Sequence, residues 1–430
     1  MYFLYSTLLA AALLLGSPYW LYHALRYGKY RRGLGERMGF APARIRNTKP
    51  AIWVHAVSVG EVLAVSGLVR QLATEFPGHR IVISTTTDTG QQLAAARFGR
   101  ENTFYFPFDF KFCVRRYFEA LRPGLIVLAE TEFWPNLLCM ARAKGTRVAV
   151  VNARISDRSF PGYRRWRKFF SRILSGIDLF LTQTPTDAER LREIGAPAER
   201  VFVSGNLKFD VSPPAQLPIV NELRAALQRS GAGPVLACGS TVEGEERSLL
   251  EAFAAVLRRH PDATMLLAPR HPERFDAVAD LLRNSPVKFL RRSKWTSDAL
   301  NGSVLLIDSI GELAGLYALA DVAFVGGSLV PRGGHSILEP AQYGVAILVG
   351  PHTENFRDIV ALFRDCDAVR VVGAADLGNV LTALFEDEAE RSGIGRRALE
   401  TLQSQRGATQ FTLAKLRTLV DDRVFEAHTV

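Results

Sequence analysis

The chain has 430 residues, enough for two domains or three, and its 48% hydrophobic and 22% charged residues exclude a disordered protein. Its 53 Lys and Arg against 43 Asp and Glu leave a net charge of +10, which favours anionic partners: nucleic acid, phosphorylated ligands or an anionic membrane. Four cysteines, Cys113, Cys139, Cys238 and Cys366, lie too far apart for a C-x-x-C pair and suit reduced thiols in a cytosolic compartment.

Residues 1–25 contain no Asp, Glu, Lys or Arg. The stretch is just adequate for the roughly 20 residues a membrane-crossing helix needs, and Pro18 is expected to kink it. Arg26, Lys29, Arg31, Arg32 and Arg37 follow. A basic flank after the apolar core places the bulk of the chain in the cytoplasm. It also fits an uncleaved anchor better than a cleaved signal peptide, which carries its charge before the core. A helix lying in the interface is the variant reading.

Short β-branched runs then alternate with helical patterns. Strands are predicted over 51–57, 80–86, 102–107, 125–130, 147–153, 179–183 and 200–205. Continuous apolar strands are buried on both faces, so they belong to a parallel sheet covered by helices. The polar run "DVSPPAQLP", with three prolines, breaks the pattern and reads as a linker over 211–218. Strands resume over 234–240, 263–269, 287–290, 303–308, 321–327, 345–350 and 368–372. The fold class is therefore α/β: two doubly wound, Rossmann-like domains facing across a cleft, behind an N-terminal anchor helix. The boundaries are an anchor over 1–25, a first domain over 26–210, the linker, and a second domain over 219–430 that includes the terminal helices.

The first domain offers polar residues where its strands end. In "HAVSVGE", Glu61 stands at a strand-to-helix turn. Its simplest role is to complement the dipole of a first helical turn. "ETEFWPN" ends another strand with Glu130 and Glu132, and "GNLKFD" sets Lys208 just before the linker. "ARISDRSFPGYRRWRKFFSR", residues 153–172, has seven basic residues, one acid and five interleaved aromatics. That composition suits an anionic lipid surface or lipid phosphates. RNA binders share it, but the anchor favours lipid and speaks against nucleic acid. A core helix with a solvated basic face is the simpler alternative.

The second domain is richer in groups that bind a nucleotide. "GGSLVPRGGHSILEP" follows a strand with a glycine-rich loop, whose amides can hold a phosphate, and Ser336, Ile337, Leu338 and Glu339 are predicted to open a helix. Ser-x-x-Glu is also the spacing of a capping box, so spacing alone leaves Glu339 open between cap and ligand; the glycines beside it favour a ligand. "PRHPERF" ends a strand with Pro269, Arg270 and His271. "DSIGELAG" places Ile310, Gly311 and Glu312 before a helix, and "GSTVEGEE" offers Ser240 and Thr241. No Walker pattern and no complete G-x-G-x-x-G accompanies a strand, which argues against ATP hydrolysis and NAD.

These segments, with "NARIS" and "GPHTENF", occur in one order along nearly the whole chain, which in this respect resembles the 3-deoxy-D-manno-octulosonic acid (Kdo) transferases. The resemblance implies a glycosyltransferase-B (GT-B) fold and transfer of Kdo from CMP-Kdo to a lipid A precursor, with inversion, without a metal or any other cofactor, and with no obligate protein partner. It makes Glu61 the general base and Glu130 and Lys208 residues of the transition state. Pro269, Arg270, Ile310, Gly311, Glu312, Ser336, Ile337, Leu338 and Glu339 would bind CMP. Ser336 departs from the Asn that many relatives carry; a backbone contact survives that change. The implied location is the inner membrane, with both domains in the cytoplasm. Other readings are a different GT-B enzyme, a nucleotide-sugar epimerase, or an exported two-domain solute-binding protein.

Overall fold

The computed structural model describes residues 2–27, 32–46, 49–211 and 217–426. Most of the predicted linker lies outside the described residues, as do Lys29 and Arg31 of the basic flank. The chain forms two compact units, Met1–Asp210 with Gln405–Val430, and Val211–Ser404.

The first unit is built on a parallel sheet of β1 (Ala51–His55), β2 (Arg80–Thr85), β3 (Thr103–Tyr105), β4 (Pro123–Ala129), β5 (Arg147–Ala153), β6 (Leu179–Thr182) and β7 (Val201–Val203), in the order β3-β2-β1-β4-β5-β6-β7. All of β1 and β4 is buried, as their apolar runs require. Side chains alternate between the faces: Trp53, Ile126 and Phe180 pack with Phe104 and Tyr117 on one side, while Ile52, Val54 and Val127 pack with Leu68 and Leu72 on the other. The second unit repeats the plan with β8 (Val235–Thr241), β9 (Thr264–Pro269), β10 (Lys288–Arg291), β11 (Ser303–Leu306), β12 (Val322–Val325), β13 (Ala346–Val349) and β14 (Arg370–Val371), ordered β10-β11-β9-β8-β12-β13-β14. Each predicted strand is present. Several, β3, β7 and β14 at sheet edges among them, are shorter than their apolar runs.

Each sheet reverses its winding once, between β1 and β4 in the first and between β8 and β12 in the second. The crevice at the carboxyl ends of such strands is where doubly wound sheets bind ligands. Glu61, Glu130 and Glu132 follow β1 and β4, and the glycine-rich loop follows β12.

One boundary differs from the sequence reading. The second domain does not run to 430: the helix Glu388–Ser404 belongs to it, but the last helix, Ala408–Glu426, packs on the first unit. Leu413, Leu416 and Val420 join the cluster around Ile52 and Val54. Asp210 clamps the start of this helix, accepting from Gly407 N at 2.8 Å with one oxygen and from Thr409 N with the other. The apolar stripe of the helix needs a bare sheet face, and that face belongs to the first unit.

Candidate active site

The edge of the first unit gathers three carboxylates. After β1 the chain turns through Ser58, extended at φ −123° and ψ 171°, into the helix Val59–Glu75. Glu61 stands in its first turn and is 8% exposed. Its carboxylate folds back over the turn, accepting from Val57 N at 2.8 Å and from Ser58 Oγ at 2.9 Å. Glu61 thus serves the helix start, but each carboxylate oxygen keeps a lone pair for another partner. Burial raises its pKa, the Val57 amide opposes that, and the charge of Glu130 raises it further.

Glu130 ends β4 at φ +55°, a left-handed conformation that costs a non-glycine residue about 1–3 kcal/mol. Its amide is held by Val151 O at 2.9 Å, and the Thr131 hydroxyl donates to Arg154 O. The turn that results leaves Glu132 in the same group. Burial first, and then the charge of Glu61, push Glu132 up to about 7. Tyr163, from the basic-aromatic stretch, is raised by burial and by the charge of Glu132, and its ring stands 6.2 Å from that of Phe133.

Lys208 reaches this edge by another route. Asn152, at φ +54°, accepts from Leu207 N at 3.0 Å, and Asn206 caps Lys208 N at 3.0 Å. Gln183 joins them, donating to Asn152 O and accepting from Asn206, each at 3.0 Å. Leu207 then packs beside Val62 and Val65 of the Glu61 helix. Lys208 is therefore a neighbour of that helix, yet it makes no ion pair with the three glutamates among the described residues.

The basic-aromatic stretch forms two short helices, Phe160–Arg165 and Arg167–Leu174. Phe160, Tyr163, Phe169 and Phe170 pack inward on the core, against the expectation that they interleave with the charges at a surface. Trp166 alone of the five is exposed, together with the seven basic side chains.

In the second unit the two switch-point strands touch. A Cβ on Gly326 would meet Ser240 O at 2.6 Å, so only glycine fits. Glu245, fully buried, holds the crossing: it accepts from Val242 N at 3.0 Å, Gly327 N at 2.7 Å, Ser328 N at 2.9 Å and Leu329 N at 2.8 Å. Nothing in the sequence signals this role, because the partners lie some 80 residues on and no spacing announces them. Thr241, which the sequence offers as a phosphate donor, is fully buried. Arg274 pairs through both nitrogens with Glu246, joining "PERF" to "VEGEE".

Pro269 ends β9 and Arg270 follows with its side chain exposed and its amide on Thr241 O at 2.9 Å. Arg270 lies near His335 of the glycine-rich loop; burial, then Arg270 and His271, lower that imidazole to about 4. Ile310 is 79% exposed, and Gly311 adopts φ +88°. Glu312 is bound to Arg292 at 3.1 Å and to Ser309 Oγ, so its carboxylate is already engaged. The helix expected from Ser336 begins at Leu338, has four residues and has Ile337 at its N-cap. One turn supplies almost no macrodipole. Glu339 sits where its charge raises Tyr317 and Tyr343, both raised first by burial. The Tyr317 hydroxyl lies against Gly239 in β8, which brings Glu339 to the switch point.

Two doubly wound units, each with polar groups at its switch point, give the chain the architecture of the GT-B class. The fold agrees with a solved structure of UDP-GlcNAc 2-epimerase from Neisseria meningitidis bound to UDP-GlcNAc, at a TM-score of 0.55 and 14% identity over 86% of this chain and 100% of that one. Residues 32–211 match the family model described as 3-deoxy-D-manno-octulosonic-acid transferase (kdotransferase). The chain is 35% identical to the 3-deoxy-D-manno-octulosonic acid transferase of Haemophilus influenzae, over 92% of this chain and 93% of that protein. It is 37% identical to that of Bordetella pertussis, over 90% and 93%. The chain belongs to the 3-deoxy-D-manno-octulosonic acid transferase family. It is therefore an enzyme, and the epimerase and solute-binding readings fall away.

Proposed function

We propose that this transferase takes Kdo from CMP-Kdo and adds it to a lipid A precursor at the cytoplasmic face of the inner membrane. The observation that carries the reading is the buried, hydrogen-bonded Glu61 among Glu130 and Glu132 at the switch point of the first unit. Glu61 removes the proton from the attacking sugar hydroxyl as that oxygen closes on the anomeric carbon of Kdo, and its raised pKa suits a base working near neutrality. CMP leaves from the opposite face, so the configuration inverts. Glu130 and Lys208 are assigned to the transition state by resemblance to the family.

Arg270, held at the end of β9, supplies positive charge to the departing phosphate, together with loop amides around Gly311 and Ser336. Exposed Ile310 offers an apolar platform for the base of CMP, and Glu339 a carboxylate for its ribose. Glu312 acts by shaping its loop, since Arg292 and Ser309 occupy its side chain. The proposed reaction uses no metal ion. The N-terminal helix, long and apolar enough to cross a membrane, supports membrane association.

The test is incubation of the purified protein with CMP-Kdo and tetraacylated lipid A precursor in excess EDTA, read by mass spectrometry. A Kdo-bearing product is expected. Its absence in EDTA, with recovery on adding magnesium, would point to a missed metal. Absence in both conditions would refute the acceptor.

A further inference from the structure

We infer that the N-terminal helix Tyr2–Tyr27 lies in the plane of the membrane interface and does not cross the bilayer, and that its first turns dock on the segment carrying Glu130 and Glu132. The inference rests on the membrane association proposed above. Composition alone favours a crossing over Tyr2–Tyr19. Contacts within the first unit oppose it.

Asn136 Nδ2 donates to Ser6 Oγ at 3.0 Å, and the Tyr5 hydroxyl donates to the Asp109 carboxylate. Both partners are interior groups: Asn136 is 4% exposed and Asp109 1%. Asp109 also receives Asn136 N at 2.9 Å and Leu137 N at 2.8 Å, capping the helix Pro135–Ala143 from outside. The partly covered positions Tyr2, Tyr5, Ser6, Leu9, Ala10 and Leu13 recur at helical spacing, so one stripe runs along covered surface for several turns. By Glu36 the chain is bonded into the same unit. Glu36 accepts from Tyr105 N at 2.7 Å, and Arg37 donates to Thr86 O at 2.5 Å.

The first turns of the helix and the chain from Glu36 onward are thus tied to one body. A crossing helix must carry its ends to opposite sides of about 30 Å of hydrocarbon. Ser6 cannot sit in the far part of a bilayer and still bond Asn136. The opposite stripe, with Phe3 and Leu15 more than 80% exposed, is left for the boundary between headgroups and acyl chains. The partner is an anionic phospholipid surface, because the same unit exposes the basic side chains of residues 154–172 beside this segment. The segment Glu130–Asn136 therefore meets the anchor at one end and the carboxylates at the other. A lipid acceptor reaches Glu61 without leaving the interface.

The test uses the full chain with Cys366→Ser, in native membranes. Phe3→Cys, with Cys139→Ser, is treated with a membrane-impermeant maleimide in spheroplasts and in inverted vesicles. Tyr2→Cys, which lies beside native Cys139, is treated with a short bismaleimide. The expected results are no labelling of Phe3→Cys in spheroplasts and an intramolecular cross-link between positions 2 and 139. Labelling in spheroplasts overturns the inference. Absence of the cross-link in membranes that float with the protein overturns it as well. A protein that does not float with membranes refutes the membrane reading itself, a failure distinct from the other two.

Discussion

Glu61 and His55 sit six residues apart and are shifted in opposite directions by the same cause. Burial raises the Glu61 carboxyl and lowers the His55 imidazole to about 3. As the proposed base, Glu61 works in its ionised form. The rate is therefore lost as pH falls through its raised pKa, and the acid limb of kcat/KM should lie above the ordinary carboxylate range. Glu61→Gln should lower kcat by roughly 10²–10⁴-fold. Glu130→Gln removes a charge that raises Glu61, so the residual activity should show the acid limb at lower pH. An unmoved limb would mean that Glu61 does not set it. His55 matters for stability. Its ring is fully buried, stacked 4.0 Å from Phe106, with Nδ1 on Ser84 Oγ at 2.9 Å. The unfolded chain takes the proton near pH 6.5 and the folded one only near 3, so stability is complete above 6.5 and falls between those values. Thermal melts of the wild type and of His55→Gln across that window should converge as pH drops.

Elements in this protein are held in place by single carboxylates. Glu245 fixes the glycine-rich loop through backbone amides of β12's exit. Glu245→Gln keeps the size but offers one acceptor oxygen and turns an NH₂ towards amide donors. It should cost roughly 3 kcal/mol of stability and weaken CMP binding in calorimetric titration, with Glu61 untouched. The basic helices Phe160–Arg165 and Arg167–Leu174 act at the other unit. Their inward aromatics leave attraction to lipid mainly to exposed charge, each Lys or Arg near an anionic surface contributing about 1 kcal/mol. Arg164→Glu, Arg165→Glu and Lys168→Glu together should raise the KM for the lipid acceptor by orders of magnitude and leave CMP affinity unchanged. Added salt should mimic the change in the unmodified enzyme. Indifference to both would reduce these helices to a solvated face.

At the scale of the whole molecule, the chain completes its first unit last. Leu413, Leu416 and Val420 of the final helix bury against the first sheet. At about 1.5–3 kcal/mol for each large apolar side chain, their loss rivals the net stability of a domain, about 5–15 kcal/mol. Truncation after Ser404 should therefore unfold the first unit and spare the second. Limited proteolysis of the truncated chain should digest residues before 210 and leave a resistant fragment within 211–404. A first unit that survives intact would show the helix to be dispensable.

Much of this was legible in the linear chain. Apolar runs of strand length separated by helical patterns predict fourteen strands, and all fourteen are present, because burial on both faces of a parallel sheet leaves a continuous signal. Glu130 and Arg270, directly after such runs, and Glu61, in the first turn of the helix that follows one, were legible for a related reason: polar residues there emerge at the sheet's carboxyl edge. Roles that depend on partners distant in sequence were not. Nothing near Glu245 announces three amides in a loop some 80 residues later, and nothing in Asp210 announces Gly407 and Thr409. Composition alone makes the first helix a candidate to span a membrane, since hydropathy counts apolar residues and not their neighbours. The bonds of Tyr5 with Asp109 and of Ser6 with Asn136 exist only once the sheet has brought together residues over a hundred positions apart, and it is on them that the in-plane reading of the helix rests.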